Sequence, residues 1–249
     1  MKVALVCIAR DEENYIQEWI DYHLKLGFDD VYIYTNNWNW GVQQSNVFVK
    51  PWDGIRVQDK AYQDFINTLS YYYDYAAFFD VDEFLVLKQH SNVKDFIQEN
   101  IHSKGGIAIN WVFFGDVNHK DKQPFNIDGE YSPLKRFTYR SILWESIKTI
   151  YKLDSFPLAG IHSPTNLPVN DTNCNVFQNQ IHPNPSISSI EVAQVNHYYT
   201  KSWEEWKSKV DRGRADNGQH RSYADWHNLD GLFNIKDTLA LNFMYPDHE

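Results

Sequence analysis

The sequence predicts an α/β fold, with a mostly parallel central sheet flanked by helices and a loop-rich C-terminal part. Three observations carry this expectation. Residues 3–8 are an unbroken apolar, β-rich run ending at Arg10-Asp11, the pattern of a strand buried on both faces. Over residues 12–26 the apolar positions Tyr15, Ile16, Trp19, Ile20, Leu24 and Leu26 recur mainly at spacings of three and four, an amphipathic helix stopped by Gly27. Residues 31–34 form a second strand, and strand, helix and strand in so short a length make a βαβ unit, whose strands run parallel.

The remaining elements follow in order. Residues 47–49 and 55–57 are short strand candidates around Pro51. Residues 59–75 read as a helix carrying Tyr62, Phe65, Ile66, Leu69 and Tyr73, and residues 76–79 as a third core strand that runs into Asp80-Val81-Asp82-Glu83. A short helix is expected over residues 93–101 and a strand over residues 107–114. Residues 115–132 are polar and rich in turn formers, hence a loop. Residues 134–153 carry the basic cluster Lys135, Arg136, Arg140, Lys148 and Lys152. Residues 155–189, rich in Pro and Asn, are expected to pack as ordered loop over the sheet. Residues 202–212 are a helix with Trp203, Trp206 and Val210, and the tail from Gly231 is weakly patterned. With no repeat and no sharp shift of composition, residues 1–249 are expected to form a single domain.

Composition narrows the function. Twenty-three Lys and Arg against 33 Asp and Glu leave a net charge of −10. That argues against a general nucleic-acid binder, which needs a basic face, and against a strongly basic membrane-surface protein. Aromatic residues make up 16% of the chain, including 9 Trp, so a packed core is expected. Cys7 lies in an apolar run as a free thiol, and with Cys174 the only other cysteine, a reducing compartment, the cytoplasm, is expected. The acids Asp11, Glu12 and Glu13 interrupt the N-terminal run where a signal peptide would continue, and no apolar stretch is long enough for a transmembrane segment.

The run AAFFDVDEFLVL holds the most informative motif. Alternate residues at a strand end project to one side, so Asp80 and Asp82 are expected to converge at the carboxyl edge of the sheet, where open α/β sheets bind ligands. Two converging carboxylates repel unless a cation lies between them, and a hard divalent ion such as Mn²⁺ or Mg²⁺ takes oxygen ligands and bridges phosphates. Two alternatives stand beside this reading. The acids cap local backbone N–H groups, or they belong to an aspartyl-phosphate phosphatase. The second is disfavoured because that class carries its acids after the first strand.

The sequence resembles nucleotide-sugar glycosyltransferases of the GT-A fold, in the family-2-like and family-92-like branch. The resemblance rests on VCIARDEENYIQEWIDYHLKLGFDDVYIYTNN, FFDVDEFL, NWVFFG and NHYYTKSWEEWKSKVDRGRAD, with Asp11 standing where the branch usually has Asn. It implies a donor half over residues 1–115 and an acceptor half over residues 116–249. It also implies that Asp80 faces the ribose and the metal, that Asp82 binds the metal, and that His197 is a further ligand, imidazole suiting Mn²⁺ better than Mg²⁺. Lys201 would reach the pyrophosphate. Ala9, Arg10 and Asp11 fall in the nucleotide loop, with Asn36 and Lys60 as further nucleotide contacts, although Asp11 to Glu13 equally suit a helix start.

The implied reaction displaces a nucleoside diphosphate from a sugar by an acceptor hydroxyl. An inverting enzyme needs a carboxylate base, for which Asp116 is the first candidate, then Glu145 and Glu130. Trp38, Trp40, Trp111 and Trp144 would stack on sugar, His162 would line the acceptor side, and Trp19, Trp203 and Trp206 are expected in the core. The expected function is therefore a metal-dependent hexosyltransferase using a UDP-sugar donor. Its acceptor would be a glycan or lipid-linked saccharide of surface polysaccharide or lipopolysaccharide synthesis, with possible peripheral membrane association through that acceptor. A metal-dependent phosphohydrolase and a non-catalytic carbohydrate-binding module are the competing readings.

Overall fold

The computed structural model describes residues 1–37, 44–54, 57–101, 106–115, 131–142, 146–155, 158–164, 174–175, 189–213, 219–229 and 231–247. Its strands are β1 Val3–Ala9, β2 Asp30–Thr35, β3 Val47–Pro51, β4 Tyr75–Phe78, β5 Glu83–Leu87, β6 Gly106–Phe113, β7 Tyr139–Arg140, β8 Ile147–Lys152, β9 Cys174–Asn175, β10 Ala193–His197 and β11 Ile235–Lys236. The helices are α1 Ile16–Lys25, α2 Gln58–Leu69, α3 Val93–Asn100, α4 Pro133–Arg136, α5 Trp203–Arg212, α6 Ala224–Asn228 and α7 Leu239–Met244. The main sheet runs β3-β2-β1-β4-β8-β6-β10-β5, with β9 beside β6, while β7 and β11 pair separately.

The alternation along β1 explains the layering. Val3, Leu5 and Cys7 face the core formed with Trp19 and Ile20 of α1 and Phe96 and Ile97 of α3. Ala4 and Val6 face the opposite core, with Tyr62 and Phe65 of α2. All five β1 residues are fully buried, as expected of a strand covered on both sides. The parallel neighbours are in register, Ala9 opposite Thr35 and Val6 opposite Phe78. The chain therefore leaves β1, β2 and β4 along one edge, which gathers Ala9-Arg10, Asn36 and Asp80.

The sheet must curl. Between β4 and β5 the chain makes a tight turn, with Glu83 N–H donating to the Asp80 carbonyl at 2.9 Å. Such a turn spans less than about 7 Å, and the extended residues before it add about 7 Å. Yet β8, β6 and β10 intervene between β4 and β5, and a flat sheet would separate those two by about 19 Å at the usual strand spacing. Curling closes the gap.

Among the described residues β5 is the end strand of this sheet, and its outer backbone groups are met by side chains of α1. Trp19 Nε1–H donates to the Glu83 carbonyl at 2.8 Å, and Tyr22 O–H to the Leu85 carbonyl at 2.8 Å. His23 Nε2 accepts from Leu85 N–H at 3.4 Å, while its Nδ1–H donates to the Trp19 carbonyl at 2.8 Å. A helix thus takes the place of a missing neighbour strand, so the edge leaves no unpaired template at these positions.

Several boundaries differ from expectation. α1 starts at Ile16, because the Glu12 carbonyl accepts from both Tyr15 and Ile16 in a turn and Asp11 has φ +59°. α2 stops at Leu69, since Ser70–Tyr72 form a 3₁₀ turn and Tyr75 begins a strand paired with Val3. Val57 precedes α2 as its N-cap instead of ending a strand, and Ile55 lies outside the described residues. The sheet is parallel across β3-β2-β1-β4, whereas β8 and β5 run antiparallel to their neighbours. The weakly patterned tail supplies β11 and α7, whose Ala240 and Leu241 enter the core. Most of residues 155–189 lie outside the described set.

Burial pulls His23 down to about 3, so the folded protein holds it neutral as both donor and acceptor. The unfolded chain binds that proton near the ordinary histidine value of about 6.5. The contribution is therefore complete above pH 6.5 and is lost as pH falls from about 6.5 toward 3, at up to about 1.4 kcal/mol per pH unit. Urea unfolding between pH 7.5 and 4.5 should show this slope, and it should be shallower in His23→Gln. An unchanged slope in the variant would remove His23 from the account.

Candidate active site

The strand ends open into a cleft of about 760 Å³. It is built from the tips of β1 and β2, the turn after β4, the β6 and β10 strands, and the end of α5.

Asp80 and Asp82 both line the cleft, but they face different partners. Asp80 Oδ1 accepts from Gln58 Nε2 at 2.8 Å and from the Tyr62 hydroxyl at 3.3 Å, both on α2. Its Oδ2 lies 3.3 Å from Lys148 Nζ. Lys148 is fully buried on β8 and also lies 3.2 Å from Glu83 Oε2. Burial alone would lower this ammonium, but Asp80 and Glu83 outweigh it and raise its pKa. Burial, with Asp80 and Asp82 adding to it, pushes the Glu83 carboxyl well above the usual range against the pull of Lys148.

Asp82 sits between α5 and β10. Its Oδ2 accepts from Lys209 Nζ at 2.6 Å, and its Oδ1 lies 3.6 Å from His197 Nε2. The antiparallel pairing sets this contact: Glu83 stands opposite His197, and Tyr198 N–H donates to the Asp82 carbonyl at 2.8 Å. Burial works to raise Asp82, yet Lys209 and His197 overcome it and hold the carboxyl well below the usual range. Burial lowers the His197 pKa, favouring the neutral imidazole.

Aromatic rings form one wall. The His197 ring lies 4.5 Å from Trp111 and 5.5 Å from Phe113, both on β6, and 5.2 Å from Tyr199. His162 lies 5.0 Å from Trp111. Trp111 Nε1 and His197 Nδ1 are buried and have no hydrogen-bond partner among the described residues.

α5 brings cations to the opposite wall. It starts on a capping box in which Ser202 and Glu205 exchange bonds with each other's backbone, and it ends at Gly213 with φ +78°. Trp206 and Val210 bury one face, leaving Lys209 and Arg212 to line the cleft. Arg212 donates to the Arg10 carbonyl and, at 3.3 Å, to Glu12 Oε1, which bolts α5 to the turn after β1. Arg136 of α4 grips Glu205 through two bonds of 3.2 and 2.9 Å, and Tyr15 adds a third contact. Despite burial, Arg136 and its neighbours hold Glu205 at about 2.

Of the residues expected from sequence, Ala9, Arg10, Asn36, Asp80, Asp82, His162, His197 and Trp111 line the cleft. Asp11 is exposed in the adjoining turn, 4.0 Å from Arg212. Lys60 is exposed on α2 and does not line the cleft. Lys201 does not line it either. In the left-handed conformation at φ +53°, it lies over the Tyr15 ring at 3.6 Å and beside Glu12 at 3.5 Å, so it braces the turn. Trp19 and Trp206 are core, whereas Trp203 is half-buried in a satellite cluster with Trp226. Asp116, Glu130, Glu145, Trp38, Trp40 and Trp144 lie outside the described residues. Sequence reasoning missed Gln58, Lys148, Lys209, Arg212 and Arg221. Lys209 and Arg212 had a signal, because both stand in the stretch NHYYTKSWEEWKSKVDRGRAD of the resemblance, three residues apart on one helix.

A carboxylate oxygen and a neutral imidazole nitrogen face each other at Asp82 and His197, a combination suited to Mn²⁺. Among the described residues no group of three His, Cys, Asp or Glu could hold an ion alone. The pair therefore fits an ion that completes its shell with phosphate and water, as Mg²⁺-type sites commonly do.

The family model of glycosyltransferase family 92 matches residues 3–232, and the chain belongs to that family. A glycosyltransferase family 92 protein of Ricinus communis is 21% identical over 245 residues, covering 91% of this chain and 40% of that protein. A further match of the same description and organism is 30% identical over 99 residues, 36% of this chain and 17% of the relative. The chain thus spans less than half the length of the relatives it matches. Among the described residues no helix is long and apolar enough to cross a membrane.

Breaking the Arg136–Glu205 pair should free the α5 end of the cleft. Arg136→Met is expected to cost about 3 kcal/mol in urea unfolding, because Glu205 would remain buried and uncompensated. A loss below about 0.5 kcal/mol, typical of a surface substitution, would contradict the anchoring role.

Proposed function

We propose that the cleft binds a UDP-sugar together with Mn²⁺ or Mg²⁺ and transfers the hexosyl group to a glycan or lipid-linked acceptor. The observation that carries this reading is the Asp82–His197 pair at the carboxyl edge of the sheet, in a chain of a glycosyltransferase family. Asp82 and His197 would hold the ion, which when bound supplies electrostatic stabilisation to the departing diphosphate.

The chain's own residues divide the remaining work. Asp80, pinned by Gln58, Tyr62 and Lys148, keeps its carboxylate in one orientation with 32% of the side chain exposed, suited to accept from a ribose hydroxyl. Ala9 offers backbone groups to the base, and Arg10 and Asn36 flank it. Lys209 and Arg212 supply the cationic side for the diphosphate, where Lys201 had been expected. The sugar lies against Trp111 and Tyr199, whose apolar faces suit its C–H surfaces. Asp116 follows the strand that carries Trp111 and Phe113, which supports it as general base of an inverting transfer. Residues 1–115 then form the donor half and residues 116–249 the acceptor half. Under this reading the acceptor belongs to surface polysaccharide or lipopolysaccharide synthesis and is met at the cytoplasmic face of a membrane.

Product analysis with Mn²⁺ and a panel of UDP-sugars tests the proposal. The expected products are UDP and a glycosylated acceptor, and Asp82→Asn should lower Mn²⁺-dependent UDP release by at least about a hundredfold. Full activity in Asp82→Asn would sink the metal assignment. Release of inorganic phosphate with no glycosylated product would favour the phosphohydrolase instead.

A further inference from the structure

Lys209 occupies an unusual position between two anionic partners, one present and one proposed. Its Nζ donates to Asp82 Oδ2 at 2.6 Å and to the Tyr199 carbonyl at 2.8 Å, and it lies 4.7 Å from the Tyr199 ring centroid. An ammonium has three donors, and among the described residues Lys209 uses two, which leaves one for a ligand in the cleft that it lines. The side chains of Lys209 and Asp82 are 14% and 12% exposed, so water screens the pair little. The helix under Lys209 is fixed at both ends, by the capping box with Arg136–Glu205 and by Arg212 on Arg10 and Glu12. Only the flexible stem of Lys209 has to move.

A divalent ion entering between Asp82 and His197 would meet the Lys209 ammonium already on the same carboxylate. Two cations on one poorly solvated carboxylate repel strongly. A nucleoside diphosphate removes the conflict, because it offers Lys209 new anionic acceptors beside Arg212 and Arg221, which also line the cleft.

We infer that Lys209 is a counter-ion that changes partners. It neutralises Asp82 while the cleft is empty, and it passes to the diphosphate when a divalent ion takes Asp82. Cation and nucleotide then bind as a coupled pair, each raising the affinity of the other by the same factor. The inference rests on reading the cleft as a UDP-sugar site and adds how its occupancy is ordered.

Isothermal titrations of the full chain with MnCl₂, UDP and uridine test this, corrected for Mn²⁺–UDP association in solution. Circular dichroism should report the fold of Lys209→Met, Lys209→Gln and Lys209→Arg. In the wild type, Mn²⁺ should raise UDP affinity by about tenfold or more and leave uridine unchanged. Lys209→Met and Lys209→Gln should bind Mn²⁺ alone about tenfold more tightly than wild type and bind UDP more weakly, with reduced coupling. Lys209→Arg should keep the coupling in part. A folded neutral variant that binds Mn²⁺ no more tightly, or that keeps wild-type UDP affinity, would overturn the exchange. So would UDP binding that needs Lys209 but ignores Mn²⁺. A wild type that binds no UDP under any condition would overturn the donor reading itself, and the exchange with it.

Discussion

The antiparallel pairing of β5 with β10 is the constraint on which the site depends. It sets Glu83 opposite His197 and ties Tyr198 N–H to the Asp82 carbonyl, so two residues more than a hundred positions apart share one corner of the cleft. β5 could not hold that place unaided, because a short end strand has half its backbone groups unpaired. Trp19, Tyr22 and His23 meet those groups from α1. The opening stretch of the family resemblance therefore serves two ends of the molecule. Ala9 and Arg10 line the cleft, while Trp19 and His23 hold the strand that carries the acids into it.

Electrostatics reconcile an acidic protein with the anionic donor that we propose for it. The net charge of −10 describes the whole surface, whereas the cleft is organised pair by pair. Lys148 offsets Asp80 and Glu83 from beneath, Lys209 offsets Asp82 from the side, and Arg212 reaches Glu12. Each carboxylate at the floor therefore has a cation within reach before any ligand arrives. The Lys148–Glu83 pair is fully buried, so removing either partner would leave the other charge uncompensated, which costs far more than losing a surface pair. Burial of His197 against Trp111 and Phe113 keeps its ring neutral and fixes its place next to Asp82.

What was legible in the sequence had a physical pattern to be read. β1 is a continuous apolar run because both of its faces are covered, and α1 shows its three-and-four spacing because only one face is. The Asp80-Val81-Asp82 turn stood out because acids interrupt two apolar runs. β10 does alternate, but both of its faces are buried: Ala193 and Val195 enter the core, while Gln194 and Asn196 bond each other at 2.7 Å inside the protein, so its polar positions look like a solvent-facing side that the fold does not have. Convergence of Asp80 and Asp82 on one ion followed from strand geometry, but the strand ends at Phe78 and a turn sends the carboxylates to different partners. Lys201 was expected at the pyrophosphate from its place four residues after His197. Its left-handed backbone turns it onto Tyr15, and helix α5 brings Lys209 back to the cleft two turns later.

Four segments distant in sequence, at the ends of β1, β4, β10 and α5, meet in the cleft that we propose as a nucleotide site. Hydrogen–deuterium exchange with and without UDP and Mn²⁺ tests it most directly. The account predicts that the ligands slow exchange together in the peptides spanning residues 9–12, 80–84, 197–201 and 209–213, with β3 and α3 unaffected. Protection confined to other segments, or none at saturating UDP and Mn²⁺, would contradict it.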